Sequence, residues 1–472
     1  MNSYRNQKED LKMKFKKVTA VVLASVMAAS MATVGGTTAV FADGELNYAD
    51  ITLGEDYTDI SAELKFLTNR TDMLDADYSG KNWDAYLAEF NEMYPNIKIE
   101  VEGMTDYAQD SLLRLQGGDW GDIMMIPEVD KADLSTYFIS YGDVDSVSEQ
   151  VKYPNRWLYD GQVYGIPVTV VGRGVLYNKK VFEAAGITET PKTTDEFLAD
   201  LQAIKDNTDA IPLYTNYAAG WTMGAWDDYT AVTATGDATY RNQKFPHMKD
   251  PFADPGDGTG AYNVYKVLYG AVANGLTEED YTTTDWESSK GMLNNGEIGT
   301  MVLGSWAYPQ MQGAGDNADD IGYFAFPITI DGKQYSPADE DYCFGINAED
   351  DADKQAAAMV FVKWMTEKSQ YSYNEGGLPI AVGDDQYPEV YDDFVANDVQ
   401  FVSNEPALEG EEDLLNELNA DSELMVGAGG NEKIQGIVEH AANGDESFDD
   451  IMAEWNEKWS AAQEADGVEV NE

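Results

Sequence analysis

The sequence predicts an open α/β fold, and three observations carry that prediction. Short apolar strands alternate with amphipathic helices between residues 62 and 126. The run Ile123-Met124-Met125-Ile126, closed by Pro127, is apolar without interruption, as suits a strand buried on both faces. A long β-branched stretch, Tyr164 to Asn178, carries glycines at 172 and 174 before helical patterning resumes at Lys179. Strand–helix alternation of this kind builds a mostly parallel sheet flanked by helices.

In order, Leu64-Lys65-Phe66-Leu67 reads as a strand. The segment NWDAYLAEFNEMYP then sets Trp83, Tyr86, Leu87, Phe90 and Tyr94 on one helical stripe, ended by Pro95. Ile97, Ile99 and Val101 alternate with charged residues, the pattern of a strand with one wet face. A helix from Tyr107 to Leu115 and the turn GGDWGD lead into the apolar strand at 123. Tyr164–Asn178 reads as an extended segment able to cross between two lobes. In PKTTDEFLADLQAI, Thr193 or Thr194 caps a helix, with Asp195 and Glu196 in its first turn. Residues 211–284 are rich in Tyr, Trp, Gly and Asp and predict helices with long loops. A strand at 300–303, a strand pair through Ile330 and a helix from Asp353 to Lys368 follow. GGLPIAVG (376–383) reads as a second crossing. The tail is helical, with Phe448, Met452, Trp455 and Trp459 on one stripe. Trp83, Trp157, Trp364, Trp455 and Trp459 are expected in the core.

The N-terminus has a basic stretch (Lys14, Lys16, Lys17), a small-residue apolar run (Val18–Val34) and the exit Val40-Phe41-Ala42, the pattern of an export signal cut after Ala42. The sole cysteine, Cys343, lies far from that junction. Neither a disulfide framework nor a lipid-anchor cysteine is therefore expected, and the mature chain is expected to be extracellular or in the cell envelope. Six of the 30 basic and two of the 86 acidic residues fall in the leader, which leaves 24 and 84, a net charge of −60. Such a surface repels phosphate backbones and anionic lipid, so nucleic acid is excluded as a partner. The 29 tyrosines and 10 tryptophans exceed what a core needs and, with abundant carboxylates, suggest carbohydrate handling. The two histidines, His247 and His440, have no ligand spacing. No metal site and no cofactor motif is read.

The blocks WDAYLAEFNEMYPNIKIEVE, GGDWGDIMMIP, DGQVYGIPVTVVGRGVLYNKKVFEAAGI, GEIGTMVLGSWAYPQM and GGLPIAVGDD, in this order, resemble the extracellular solute-binding proteins of carbohydrate ABC importers, the family that includes maltose-binding protein. The resemblance implies two discontinuous α/β lobes joined by hinge crossings around a central ligand cleft. The expected division is a signal peptide over 1–42, a spacer over 43–61, one lobe from 62–170 and 305–368, the other from 171–304 and 369–465, and an acidic tail over 466–472. It also implies a monomer that captures a mono- or oligosaccharide and delivers it to permease subunits without chemical change.

A pyranose stacks its C–H face on an aromatic ring and offers its hydroxyls to carboxylates, guanidinium groups and amides. Trp306, in Gly304-Ser305-Trp306 just past a strand, is either a core plug or a platform; it resembles the family's stacking tryptophan, with Tyr308 beside it. Asn69, Arg70 and Glu128 follow strands at their carboxyl ends, where open α/β sheets hold ligands. Arg70 is equally read as a hydroxyl donor or a surface salt bridge. Trp120 reaches for the cleft rim, and Asp122 caps its turn. Tyr217, Trp221 and Trp226 are partly core, with at least one expected in the cleft. Asp341, the backbone at Gly376-Gly377, and Arg173 on the crossing segment complete the candidates, Arg173 facing the cleft or pairing with a carboxylate. A secreted glycoside hydrolase, and a receptor for a non-sugar ligand such as a polyamine, are the alternatives. The first needs two carboxylates flanking one bond, and no motif singles out such a pair.

Overall fold

The computed structural model describes residues 46–471 apart from 79, 106 and 428. The expected leader lies outside these residues. Two sheets organise the chain. The first has five strands in the order 97–103, 62–68, 123–125, 339–346, 166–171. Its first three run parallel, while Asp339–Ile346 is antiparallel to both its neighbours. The second has four strands in the order 321–325, 173–178, 298–304, 211–213. Each sheet lies at the centre of one lobe.

Local sequence explains the elements. Trp83–Met93 is a helix because Asn82 accepts from Ala85 N at 3.0 Å and Trp83, Tyr86 and Phe90 bury one face. Trp83 packs edge-on to Phe66 at 5.3 Å and stacks on Tyr371 at 5.3 Å. Of the two threonines proposed as the next cap, Thr193 serves: its Oγ accepts from Glu196 N while Glu196 accepts from Thr193 N, a complete capping box. Phe448–Asp466 buries Phe448, Met452, Trp455 and Trp459. All five tryptophans expected in the core are at most 5% exposed.

The first crossing is as short as it can be. Ile166–Val171 belongs to the first sheet and Arg173–Asn178 to the second, so Gly172 alone joins them. Two other features depart from expectation. GGLPIAVG does not cross: Leu378 bridges Val170 and Ala381 bridges Val151, both on the first lobe. The chain crosses instead between 326 and 338, and again through 382–402, where Tyr335–Pro337 pairs in parallel with Gln400–Val402. Ile321–Ala325, expected in the first lobe, pairs with Arg173–Asn178 in the second sheet. The proposed spacer is structural from Tyr48 on: Tyr48 is fully buried, 6.1 Å from the Tyr141 ring, and Ile51 and Ile60 join the core. The acidic tail is tied down by Asn471, whose N–H donates to His247 O at 2.7 Å. Among the described residues no helix is long and apolar enough to cross a membrane.

Asp122 closes the turn before its strand as expected. One oxygen accepts from Lys65 N at 2.6 Å and the other from Lys354 Nζ at 2.6 Å. The Asp350 carboxyl faces it. Burial, with the Asp122 charge next in weight, pushes Asp350 up from 3.8 to about 7. A carboxyl raised on folding contributes stability that is complete below the unfolded value and lost as pH rises through the folded one. Asp350→Asn, which mimics the protonated form, is therefore expected to raise the urea midpoint more at about pH 8 than at about pH 5. Equal shifts at both pH values would refute the raised Asp350 carboxyl.

Candidate functional site

The cleft is built where strand ends meet. Ile298–Gly304 is buried along its length and ends at Ser305-Trp306. Ser305 is buried and its N–H donates to Gly172 O at 3.0 Å. Trp306, partly exposed, starts the helix Ala307–Gly313. The glycine beside it is a matter of space. A Cβ at Gly304 would lie 2.7 Å from Trp306 Nε1 and 2.8 Å from Arg173 Nη1. The bare backbone lets the indole edge fold over the strand end, beside the guanidinium. Gly304→Ala is expected to weaken ligand binding about tenfold by displacing that ring or Arg173, since overpacking costs about 1–3 kcal/mol; an unchanged titration would refute the close fit.

Two more indoles join Trp306. Trp221, 41% exposed, lies 5.6 Å from it at 52°, and Trp286 lies 5.6 Å from it at 59°. Trp221 and Trp286 are 5.2 Å apart and nearly perpendicular. Asp285 caps the helix Trp286–Asn294 by accepting from Ser288 N, and Lys290 Nζ sits 5.0 Å over the Trp286 ring. Three partly exposed rings at such angles form a bowl, not a single plane.

The first lobe faces the bowl with a guanidinium network. Arg70, at the carboxyl end of Ala62–Thr68, donates from Nε and Nη2 to Asp72 at 2.9 and 2.8 Å, from Nη1 to Glu375 Oε2 at 2.6 Å, and from Nη2 to Tyr78 Oη at 2.8 Å. Tyr78 Oη in turn donates to Glu375 at 3.0 Å. The Glu375 side chain is only 4% exposed. Burial by itself would raise the Asp72 carboxyl. The Arg70 hydrogen bond and charge, joined by Lys290 from the opposite lobe, hold it below its ordinary value. Of the two readings of Arg70, the ion pair is thus the observed one, with a single Nη1–H left over. Asn69 beside it is half-buried, and its side chain has no hydrogen-bond partner among the described residues.

The floor is the start of Asp339–Ile346. Because this strand runs antiparallel to its neighbours, its N-terminal end, with Asp339, Glu340 and Asp341, lies at their carboxyl ends. Arg173 pairs with Asp228 at 3.1 Å and approaches Asp339 at 4.0 Å; Asn404 Nδ2 donates to Asp339 at 3.1 Å. Arg156 holds Glu128 at 2.6 Å and caps the carbonyls of Asp341, at 3.1 Å, and Glu340. Burial pushes the Asp341 carboxyl up, against the pull of Arg173, Arg156 and Arg70, so three cations surround it. Burial also raises Glu340, to about 7, with Asp339 adding to the effect. Arg173 Nε and Asn404 Oδ1 are buried without a hydrogen-bond partner. A buried donor and acceptor each left unpaired cost about 1–3 kcal/mol. Hydroxyls, which donate and accept, suit both.

The candidates thus divide. Trp306, Trp221, Asp341, Arg173, Arg70 and Asn69 come together at the cleft, and Glu128 joins through Arg156. Trp120 and Trp226 do not: they are 3% and 2% exposed, packed edge-on against Phe138 and Phe326 inside the two cores. Tyr217 packs on Tyr281 at 4.6 Å and bonds Glu439 on the helix Asn431–Asn443, a structural engagement. Among residues missed, Trp286 carried one signal, its place directly after the capping Asp285, and Glu375 sat beside the glycine pair already noted. Tyr78, Asp72, Asp228 and Asp339 carried none. Gly376 abuts the opposite lobe, where a Cβ would meet Ser305 O at 2.7 Å.

Residues 76–371 match the model of the bacterial extracellular solute-binding protein family. Among curated relatives, the multiple sugar-binding protein of Streptococcus mutans is 25% identical over 307 residues, 63% of this chain and 71% of its own. Among solved structures, the manno-oligosaccharide-specific solute-binding protein BlMnBP2 of Bifidobacterium animalis subsp. lactis, in complex with mannotriose, is 54% identical, with a TM-score of 0.86 over 89% of this chain and 99% of that one. BlMnBP1 of the same organism, an ABC-transporter binding protein in complex with mannobiose, is 53% identical with the same TM-score and coverage. RafE with raffinose shares the fold at 19% identity and a TM-score of 0.64. With more than half its length matched by the family model and two lobes joined through Gly172 and two further crossings, the chain belongs to the bacterial extracellular solute-binding protein family.

Proposed function

We propose that this protein is the exported receptor of an ABC importer, and that it clamps a short manno-oligosaccharide between its lobes and hands it, unbroken, to membrane permease subunits. The observation that carries this reading is the facing of three partly exposed indoles on one lobe, Trp221, Trp286 and Trp306, against the Arg70–Glu375 network and the Asp341 floor of the other. Apolar sugar faces suit the first surface and hydroxyls the second. Relatives in complex with mannobiose and mannotriose, more than half identical over nearly nine-tenths of the chain, support the choice of mannose. Closure needs backbone change at few residues, and Gly172 supplies one of them. The mature chain acts as a monomer and begins at Asp43.

Calorimetry with mannobiose and mannotriose, beside raffinose and a chito-oligosaccharide, tests the reading. Saturable one-to-one heat with mannotriose, and no mannose released on prolonged incubation, is the expected result. Absence of heat with either manno-oligosaccharide overturns the ligand, and liberated mannose overturns the receptor in favour of a hydrolase.

A further inference from the structure

The three crossing segments meet at Gly172, where one phenol is bonded. Tyr391, in the 382–402 crossing, is fully buried. Its oxygen accepts from Gly172 N at 2.9 Å and its hydrogen goes to Ser305 Oγ at 2.7 Å. One hydroxyl therefore joins the single residue between the two sheets to the residue just before Trp306. The surroundings leave it little freedom. Gly172 O accepts from Ser305 N at 3.0 Å and from Tyr323 Oη at 3.1 Å. A Cβ at Gly172 would lie 2.9 Å from the Tyr391 ring, 3.1 Å from Phe401 and 3.2 Å from Ser336 Oγ. Ser336, from the 326–338 crossing, accepts from Arg173 N at 2.8 Å. Phe401 and Phe394 pack edge-on against Tyr391 at 5.1 and 5.5 Å.

Any rotation of one lobe on the other changes the backbone at Gly172, because no other residue separates those two strands. A change there moves the Gly172 N–H relative to Tyr391, and with it the acceptor Ser305. The indole that follows Ser305 is thereby tied to the state of the hinge and not only to its own lobe. We propose, resting on the oligosaccharide capture proposed above, that Tyr391 is a positioning residue: its hydroxyl couples the Gly172 hinge to the Ser305–Trp306 turn, so that Trp306 reaches its ligand-stacking place as the lobes close. It touches no ligand itself.

Tyr391→Phe keeps the ring and removes both hydrogen bonds. In the ligand-free protein the amides of Gly172 and Ser305 are expected to exchange with deuterium about tenfold faster, while those of Val175–Tyr177 within the sheet are unchanged. Mannotriose affinity is expected to fall about tenfold, in the dissociation rate more than the association rate. In a Trp306→Ala background the same substitution is expected to cost binding nothing further, a non-additivity that a purely structural loss would not produce. Unchanged exchange at Gly172 and Ser305 overturns the coupling whatever the ligand. Should wild-type protein bind mannotriose and Tyr391→Phe bind equally well, or should the two substitutions add, the positioning role falls while the capture stands. If wild-type protein takes no manno-oligosaccharide, the capture falls and the exchange result alone decides the coupling. Should Tyr391→Phe not fold, Ser305→Ala, which removes only the acceptor and leaves the Gly172 N–H bond in place, is held to the affinity and non-additivity outcomes.

Discussion

Trp306→Ala is expected to weaken mannotriose binding by at least tenfold, with the fold intact. The indole is the meeting point of the bowl, in contact with both Trp221 and Trp286, and it is the ring backed by the buried strand end. Losing its stacking face, together with the apolar surface it keeps from water, costs about 1–3 kcal/mol. Trp221, more exposed and attached to a short helical turn, is expected to matter less. Calorimetry checks the first substitution, and circular dichroism checks that the protein is folded. A dissociation constant equal to that of wild type would show that the ring is a plug between lobes. Trp306→Phe, which keeps a smaller aromatic face, is expected to fall between the two.

Asp227→Ala is expected to cost about 3–5 kcal/mol of stability in the second lobe, although Asp227 sits beside the cleft residue Asp228. Its side chain is fully buried and receives Lys433 Nζ at 2.9 and 2.7 Å, Tyr265 Oη at 2.6 Å and Gly427 N at 2.8 Å. Burial pushes the Lys433 ammonium down, and Asp227 is what pulls it back. Removing the carboxylate strands a cation that is itself 4% exposed. The loss should shrink as pH rises, because a neutral amine tolerates burial. Asp227→Ala with Lys433→Met should recover most of it, since removing both charges leaves no ion to bury. A denaturation midpoint for the single variant within a few tenths of a kcal/mol of wild type would refute the pair's role.

The divided fate of this DD pair illustrates what a sequence does and does not disclose. Asp227 and Asp228 are adjacent and chemically identical, yet one is a core ion pair and the other holds Arg173 in the cleft. Trp221 and Trp226 differ by five positions and end in opposite environments, one 41% exposed and the other 2%. Neither difference is encoded locally: both depend on which way a short helical turn is rotated against strands contributed from elsewhere. The Arg70–Glu375 bond joins residues 305 positions apart, and no periodicity reaches that far. Trp306 could be singled out because its reason is local, a ring folded over a glycine two residues before it.

The crossings follow the same rule. Tyr164–Asn178 was legible as a crossing because extended backbone, β-branched residues and glycines are nearest-neighbour properties. GGLPIAVG has the same composition but bridges Val170 and Val151 on one lobe, since a vacant sheet edge, not the segment itself, chose its place. What the sequence by itself determined was the inventory: the helices with their caps, the apolar strands, the acidic surface, the family blocks and the Gly304-Ser305-Trp306 turn, all set by interactions within a few residues. The tertiary structure alone decided which aromatics are wet, which carboxylates are paired, and that three separate crossings meet at Gly172. Burial and pairing are properties of contacts between distant segments, and those contacts exist only once the chain has closed on itself.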